Sequence, residues 1–406
     1  MNKLLFFSIL LFFIIKTNMF AQRAEVLPYI SFIEENNTHP VDYVFELFEK
    51  YDIVILGERD HRDQRQYELI EKIISDRRFI ENIGNVFTEV GPYNRIEWAN
   101  EVLKSEYESY SDFENNLRPL YRELESWNLI WEKYNFWYFL SSIYRINTKL
   151  QSSQKINLFF TDVPFDWNSI NTRDDYLTFQ KNISEGKRDS IMGNNMTTIY
   201  NKILNDDNSN RKKALVIYNL PHAIQSKAID SLTIKSAASY IFNEYPGKVA
   251  NVMINWLNIH NSRYSGFIAD GKWDAAFWAL CNPSVGFDFN NSPFGMDKID
   301  FDYIKRPLEN NVNYQDLFTG FIFYGGVTSW NIVIGIPGII DDEFGAEFLR
   351  REKIVIPDSK ITLCNAKEYY NIVRMYKVWD FGDKMSKRRI KKNYKYWIGK
   401  KIGIGI

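Results

Sequence analysis

The sequence has few cysteines and histidines, and it lacks several well-known catalytic and nucleotide-binding motifs. Its 406 residues include two cysteines, Cys281 and Cys364, and four histidines. Two cysteines allow one disulfide in an oxidising compartment but no disulfide framework, and no closely spaced cysteine pair indicates a structural zinc. The HExxH, GxSxG, Walker A and GxGxxG motifs are absent. The sequence therefore does not favour a zincin-type protease, a serine enzyme of the α/β-hydrolase kind or a nucleotide-binding protein.

The chain has no excess of either charge, which argues against one broad class of function. Lysine and arginine total 50, and aspartate and glutamate total 51. Without a basic excess, the sequence does not favour nucleic-acid binding. Aromatic residues make up 16% of the chain, which predicts a well-filled core and an aromatic-lined cleft. The length accommodates one large domain or two smaller ones, and we find no internal repeat.

The first residues have the pattern of an export signal. Lys3 gives a positive start, the run Leu4–Ile15 is almost wholly apolar, and Phe20-Ala21-Gln22 offers a cleavage site. The apolar run is too short to span a bilayer comfortably, and an uncleaved anchor is the alternative. We predict a signal peptide at residues 1–21 and an exported protein, periplasmic or extracellular.

Six short apolar runs alternate with helical patterns through most of the chain. This alternation predicts an α/β fold with a mainly parallel sheet flanked by helices, and continuous apolar runs are typical of strands covered on both faces. Residues 94–150 predict a helical insertion over the carboxyl edge of the strands. We assign one domain to residues 22–345 and a C-terminal extension to 346–406. The predicted strands are Asp52–Leu56, Asn85–Val90, Ile156–Thr161, Ala214–Tyr218, Val249–Trp256 and Leu317–Tyr324.

Polar residues of catalytic type stand at the ends of four predicted strands. A single strand-end carboxylate is more often a helix cap than a catalyst. In a parallel sheet, however, the carboxyl ends of the strands lie on one edge, where open α/β sheets bind ligands. Several such residues together predict a functional cleft. They are Glu58 and His61 after the first strand, Glu89 at the end of the second, Asp162 after the third, and Asn219 with His222 after the fourth.

A helix predicted before the fourth strand adds a cation to this set. The segment from about residue 174 to 204 has a helical pattern, with Met192 and Met196 at helical spacing. A charged pair such as Arg188 and Asp189 is usually part of a solvated face. Because the methionines require this helix to pack against the protein, we predict that Arg188 projects into the cleft as an anion clamp.

Two carboxylates and two imidazoles permit two kinds of hydrolytic chemistry. In the first, one histidine acts as general base on a water, a glutamate orients it, and the second histidine or Arg188 supports the oxyanion. In the second, a divalent metal binds the set and lowers the pKa of a bound water. Composition does not separate the two. The metal ligands would be Glu58, His61, Glu89 and His222.

With these residues identified, the sequence resembles the erythromycin esterase-like superfamily, which is related to the ChaN-like iron-regulated proteins and, more distantly, to the Tiki/TraB proteins. The order of the motifs and their strand-end placement, over roughly residues 45–330, carry the resemblance. The motifs are Gly57-Glu58-Arg-Asp-His61, Thr88-Glu89-Val90, Arg188-Asp-Ser-Ile-Met192-Gly-Asn-Asn195, Asn219-Leu-Pro-His222-Ala223 and the closing strand Leu317-Phe-Thr-Gly-Phe-Ile-Phe323.

The resemblance implies hydrolysis of an ester or lactone-like small molecule by a histidine-activated water. His61 would be the general base, with Glu58 and Glu89 orienting it and stabilising its charge. His222 and Arg188 would support the substrate or oxyanion. The ChaN-like branch binds haem and the Tiki/TraB branch includes metal-dependent proteases, so a haem- or ligand-binding envelope protein and a metal-dependent peptidase are the alternatives. The further substrate-binding candidates are Asp162 and Asn219.

The C-terminal end is strongly basic. Residues 384–401 carry nine lysines or arginines, interspersed with Tyr394, Tyr396 and Trp397. A solvated tail is the ordinary interpretation, and a weak contact with a membrane surface is the alternative. Of the remaining histidines, His39 has the context of a surface turn and His260 follows the fifth strand.

Overall fold

A seven-stranded sheet runs through the part of the chain that the structure describes. The computed structural model describes residues 24–126, 128–184, 187–225, 235–258, 266–301, 312–380 and 386–399, so the predicted signal peptide and His260 lie outside the described residues. In chain order the strands are β1 Ile53–Glu58, β2 Asn85–Pro92, β3 Asn157–Asp162, β4 Ala214–Asn219, β5 Val249–Ile254, β6 Val285–Asp288, β7 Gly320–Phe323, β8 Asn331–Ile334 and β9 Arg374–Lys377.

The strand order brings the predicted site strands together. The main sheet has the order β3-β2-β4-β1-β5-β7-β6, and β8 and β9 form a separate antiparallel pair. All neighbours in the main sheet are parallel except β6, which is antiparallel to β7. The four strands that end in predicted site residues are therefore adjacent, with their carboxyl ends at one edge.

Fifteen α-helices surround the sheet within the described ranges. Parallel strands must be joined by long crossover connections, and these usually contain an α-helix. They are α1 Leu27–Glu35, α2 Pro40–Lys50, α3 Gln64–Ser75, α4 Arg77–Asn82, α5 Ile96–Lys104, α6 Tyr110–Tyr121, α7 Tyr134–Asn147, α8 Arg173–Ile183, α9 Lys187–Leu204, α10 Ala237–Glu244, α11 Lys272–Ala279, α12 Tyr314–Leu317, α13 Asp342–Val355, α14 Leu363–Asn371 and α15 Lys387–Ile398.

Strand β1 is buried along its whole length because helices cover both faces of the sheet. Val54 and Leu56 join the core formed with α2, α3 and α5–α7. Ile53 and Ile55 point to the other face and pack with residues of α9 and α10. Successive side chains alternate between two apolar environments, which explains why the strand reads as a continuous apolar run.

The predicted fold class is confirmed: the fold is α/β with a mainly parallel sheet. Each of the six predicted strands corresponds to a strand of the main sheet. The structure adds the short strands β6, β8 and β9, which have no distinct pattern in the sequence. It also divides the predicted helical segment near 174–204 into two helices, α8 and α9.

The helical insertion covers both a face and an edge of the sheet. Helix α7 packs on α3, where the rings of Phe139 and Tyr67 meet edge-on with centroids 5.6 Å apart. The segment joining α6 to α7 lies at the carboxyl edge, where Leu124 and Trp131 line a cleft together with His61. The insertion therefore builds one wall of the candidate site.

The basic segment near the C-terminus is not a free tail where the structure describes it. Helix α15 lies against α11, with Ile390, Tyr394 and Ile398 buried. Cys281 and Cys364 are both free and exposed. None of the described helices combines the length and apolar character needed to cross a bilayer.

Candidate functional site

His61 is held between two buried carboxylates at the centre of the site. Its Nδ1 lies 3.1 Å from Glu58 Oε2, and its Nε2 lies 3.3 Å from Glu89 Oε1. Glu58 ends β1 and Glu89 lies in β2, so the imidazole bridges two strands across the end of β4, which lies between them. Both ring nitrogens are thus engaged by the protein.

The two carboxylates determine the charge of His61. Burial lowers the pKa of His61, but the Glu58 and Glu89 carboxylates outweigh burial and raise it to about 10. Burial raises the pKa of Glu58, against the opposing effect of His61. Burial also raises the pKa of Glu89, but His222, His61 and Arg188 outweigh burial and lower this pKa below its ordinary value. At neutral pH His61 is therefore an imidazolium that donates to both glutamates.

A buried ion pair fixes the turn that carries His61. Arg59 is fully buried, and its Nε donates to Asp63 Oδ2 at 2.7 Å. Its Nη1 donates to Asn255 Oδ1 at 2.8 Å, and its guanidinium lies 4.1 Å from the ring centroid of Trp330. Asp63 also caps the N-terminus of α3. The residues on either side of His61 are thus tied to the helix and to the end of β5.

Glu89 reaches His61 from an irregular part of β2. The pairing of β2 with β3 shifts between Thr88 and Pro92. Gly91 has a φ of 108°, and a Cβ atom there would lie 2.5 Å from the ring of Phe160. Only glycine fits this position without displacing that ring. Glu89 thus lies at the start of this irregular part of β2.

The second imidazole, His222, is oriented by a carboxylate that the sequence analysis did not assign to the site. His222 Nδ1 lies 2.7 Å from Asp189 Oδ1, which also accepts the backbone N–H of Ala237 at 2.7 Å. Arg188 Nη1 lies 3.4 Å from His222 Nε2. The Nδ1 side of the ring thus faces a carboxylate and the Nε2 side faces a guanidinium, and these two contacts orient His222.

The remaining predicted residues tie these groups together. Arg188 Nε and Nη2 donate to the two oxygens of Asp162 at 2.8 and 2.9 Å, a bidentate pair. The backbone N–H of Asn219 donates to Glu89 Oε2 at 2.5 Å, and its side-chain amide donates to the carbonyl of Arg59 at 3.0 Å. Asp162 and Asn219 thus support Arg188 and Glu89 directly.

A cleft of about 290 Å³ opens above these groups. Its lining combines charges of both signs with apolar surface, as in many small-molecule sites. The Trp131 ring meets the His61 ring edge-on, with centroids 5.0 Å apart, and Lys133 Nζ lies 4.0 Å from the centroid of Trp131. The lining residues are His61, Glu89, Val90, Gly91, Leu124, Glu125, Asn128, Trp131, Lys133, Asp162 and Arg188.

The structure places all seven predicted site residues at this edge, in two linked groups. Five further residues were missed. Asp189 was interpreted as part of a solvated charge pair, although its position next to Arg188 was a usable signal. No sequence pattern indicated Arg59, Asp63 or Glu125, and Trp131 was predicted only as one of the aromatic residues of the helical insertion. His39 lies apart and caps α2, where its side chain accepts from the backbone N–H of Val41.

The arrangement does not resemble a metal site. Within the described ranges, no three His, Cys, Asp or Glu side chains are placed to hold one metal ion. Both nitrogens of His61 face carboxylates, and a coordinating imidazole must present a lone pair to the metal. Glu58 and Glu89 are thus hydrogen-bonded to His61, and His222 is paired with Asp189.

Comparisons with known proteins give low-identity structural likenesses. No protein-family model matches the sequence, and no curated protein matches it. Among solved structures, the chain is similar to a Bacillus cereus protein with 10% identity and a TM-score of 0.43, covering 73% of this chain and 97% of the other. It is similar to a succinoglycan biosynthesis protein with 9% identity and a TM-score of 0.44, covering 73% and 96%.

A third solved structure belongs to the family whose motifs the sequence resembles. It is the erythromycin esterase EreC, as a histidine-to-asparagine variant in its open conformation. The identity is 12% and the TM-score is 0.46, and the alignment covers 71% of this chain and 96% of the other. The chain is thus similar in structure to an erythromycin esterase.

Proposed function

We propose that this protein is a hydrolase that cleaves an ester or lactone-like bond in a small molecule by means of a histidine-activated water. The observation that carries the proposal is the pair of imidazoles at one sheet edge, each oriented by carboxylates: His61 between Glu58 and Glu89, and His222 against Asp189. Imidazoles that carboxylates hold in place are typical of acid–base catalysis.

The contacts of each imidazole decide its role. A general base must have an available lone pair, and His61 lacks one while it is protonated between two carboxylates. His222 meets a carboxylate through Nδ1, and Asp189 can orient it as a carboxylate does in a catalytic triad. We therefore assign the base to His222 and the charge-stabilising role to His61, which reverses the roles that the sequence resemblance implies.

The proposed reaction needs no metal ion to account for the proton and the negative charge. Water gives a proton to His222 Nε2 while its oxygen attacks the ester carbonyl carbon, and the negative charge moves to the carbonyl oxygen. The positive charges of Arg188 and His61 stabilise this oxyanion. Collapse breaks the bond to the alcohol oxygen, which takes the proton from His222 and leaves as an alcohol.

Hydrolysis of a panel of small esters and lactones tests the activity. We expect His222→Asn and Asp189→Asn to lower kcat/KM by roughly a hundred- to ten-thousandfold while the protein remains folded. Chelation of metals should leave the rate unchanged, whereas a metal-dependent peptidase would lose activity. A panel cleaved equally well by wild type and His222→Asn would contradict the proposal.

The pH dependence of the rate distinguishes the two imidazoles. If His61 were the base, it would have to lose its proton, so kcat/KM would keep rising until the pH passed about 10. With His61 as the stabilising cation, kcat/KM should instead fall as the pH passes that value. If kcat/KM continued to rise above that pH, His61 would be the general base.

We also propose that the protein is exported, on the basis of the N-terminal pattern of Lys3, the run Leu4–Ile15 and Phe20-Ala21-Gln22. Expression of the full gene should give a protein outside the cytoplasm whose N-terminus lies near Gln22. A cytoplasmic protein that begins at Met1 would contradict export.

A further inference from the structure

The outer side of α15 is a continuous basic surface. We call it the α15 cationic face and define it by five exposed residues. The helix contains no aspartate or glutamate. The five positions recur at intervals of three, four and five residues, which places them on one side of a helix. They are Lys387, Arg388, Lys391, Lys392 and Lys395.

The opposite side of α15 attaches the helix firmly to the protein. Tyr394 is buried and its ring stacks on Trp278, with centroids 5.3 Å apart. The side chains of Asn393 and Trp397 donate to the carbonyl of Asp270 at 2.7 and 3.0 Å. Apolar packing and these hydrogen bonds hold the helix, and of the five cations Lys387 adds a contact, with its Nζ 4.9 Å from the centroid of the Trp379 ring.

The cations do not stabilise the helix itself. Like charges four residues apart, such as Lys387 with Lys391 and Lys391 with Lys395, destabilise a helix. A rigid array of this kind therefore presents positive charge outwards at a cost to α15. Tyr396, with 53% of its surface exposed, lies directly beside the array.

We propose that the α15 cationic face binds the surface of an anionic phospholipid bilayer. From Lys387 to Lys395 the charges extend along about 12 Å of the helix, and a bilayer offers a laterally continuous negative surface to match. The apolar side of α15 is occupied by the protein, so the contact is electrostatic rather than insertive, with Tyr396 at headgroup level. The nearly neutral chain as a whole argues against an extended nucleic-acid surface.

Vesicle co-sedimentation of the full chain tests this proposal. We expect binding to phosphatidylcholine vesicles that contain phosphatidylglycerol, weakening in high salt, and no comparable binding to phosphatidylcholine alone. The triple variant Lys391→Gln, Lys392→Gln, Lys395→Gln should bind on the order of a hundredfold more weakly. The matched control changes three exposed lysines on other helices, Lys181, Lys202 and Lys353, to glutamine and should bind like wild type.

Several results would overturn the proposal. One is that the wild type binds equally well to vesicles with and without phosphatidylglycerol. The others are that the control variant binds as weakly as the triple variant, or that the triple variant binds as tightly as the wild type. Salt-sensitive binding to double-stranded DNA that competes fully with vesicles would assign the surface to a nucleic acid instead. Thermal unfolding of both triple variants shows whether the helix remains packed.

Discussion

At the residue scale, the hydrogen bonds that position His61 also fix its charge. Glu58 and Glu89 approach opposite nitrogens of the ring, so the geometry and the electrostatics have the same origin. A histidine with an ordinary pKa near 6.5 would be largely neutral at pH 7. Held between two carboxylates, His61 instead keeps its proton until the pH approaches about 10.

This shift predicts how stability depends on pH. The pKa of His61 is raised in the folded protein, so its contribution is fully present below the unfolded value near 6.5 and is lost as the pH rises to about 10. Urea unfolding should show that the difference between wild type and His61→Asn is largest in mild acid and shrinks across this interval. A constant difference would contradict the shift; His39→Asn controls for the loss of a histidine elsewhere.

The buried pair Arg59–Asp63 gives a second prediction at this scale. Replacing Arg59 by methionine leaves the Asp63 carboxylate buried without its partner, and we expect about 3–5 kcal/mol of destabilisation by chemical unfolding. The matched control is Arg77→Met, which breaks an exposed pair with Glu81 at the same i,i+4 spacing and should change stability little. Equal effects of the two variants would show that the Arg59 pair does not stabilise the turn.

Single residues also mark the limit of sequence reasoning. Glu58, Glu89 and His222 were found because each follows an apolar run, which placed them at strand ends. The position of Asp189 next to Arg188 was a usable signal, but its role depends on the way α9 packs against β3 and α10. The charge of His61 likewise depends on two glutamates that are 31 residues apart in the sequence.

At the scale of elements, long buried strands were predictable and short peripheral ones were not. Strands β1 and β4 are buried on both faces, so each has an unbroken apolar run. Strands β6, β8 and β9 have four residues each, and a run that short cannot display a period. The strand order also depends on long-range pairing, which the sequence pattern does not contain.

The segment between α6 and α7 supplies an element-scale prediction through Trp131. Its ring meets the His61 ring edge-on at the wall of the cleft. We expect Trp131→Ala to lower kcat by on the order of a hundredfold with a smaller change in KM, because the imidazole loses its lateral support. Trp131→Phe retains an aromatic wall and should recover most of the activity; equal losses for both variants would indicate a role other than positioning.

At the scale of the whole molecule, one sheet edge collects groups from distant parts of the sequence. The order β3-β2-β4-β1 makes neighbours of four strands whose ends carry Asp162, Glu89, Asn219 and Glu58. Helix α9 contributes Arg188 and Asp189, from its first turn, to the same edge. The parallel pattern predicted this shared edge, whereas the carboxylate partners of the two imidazoles emerged only from three-dimensional contacts.

The most direct test of the account is a heteronuclear NMR titration of the histidine ring nitrogens, which four histidines make tractable. Near neutral pH, both nitrogens of His61 should be protonated, and they should remain so until the pH nears about 10. A His61 ring that is neutral at neutral pH would contradict this charge assignment.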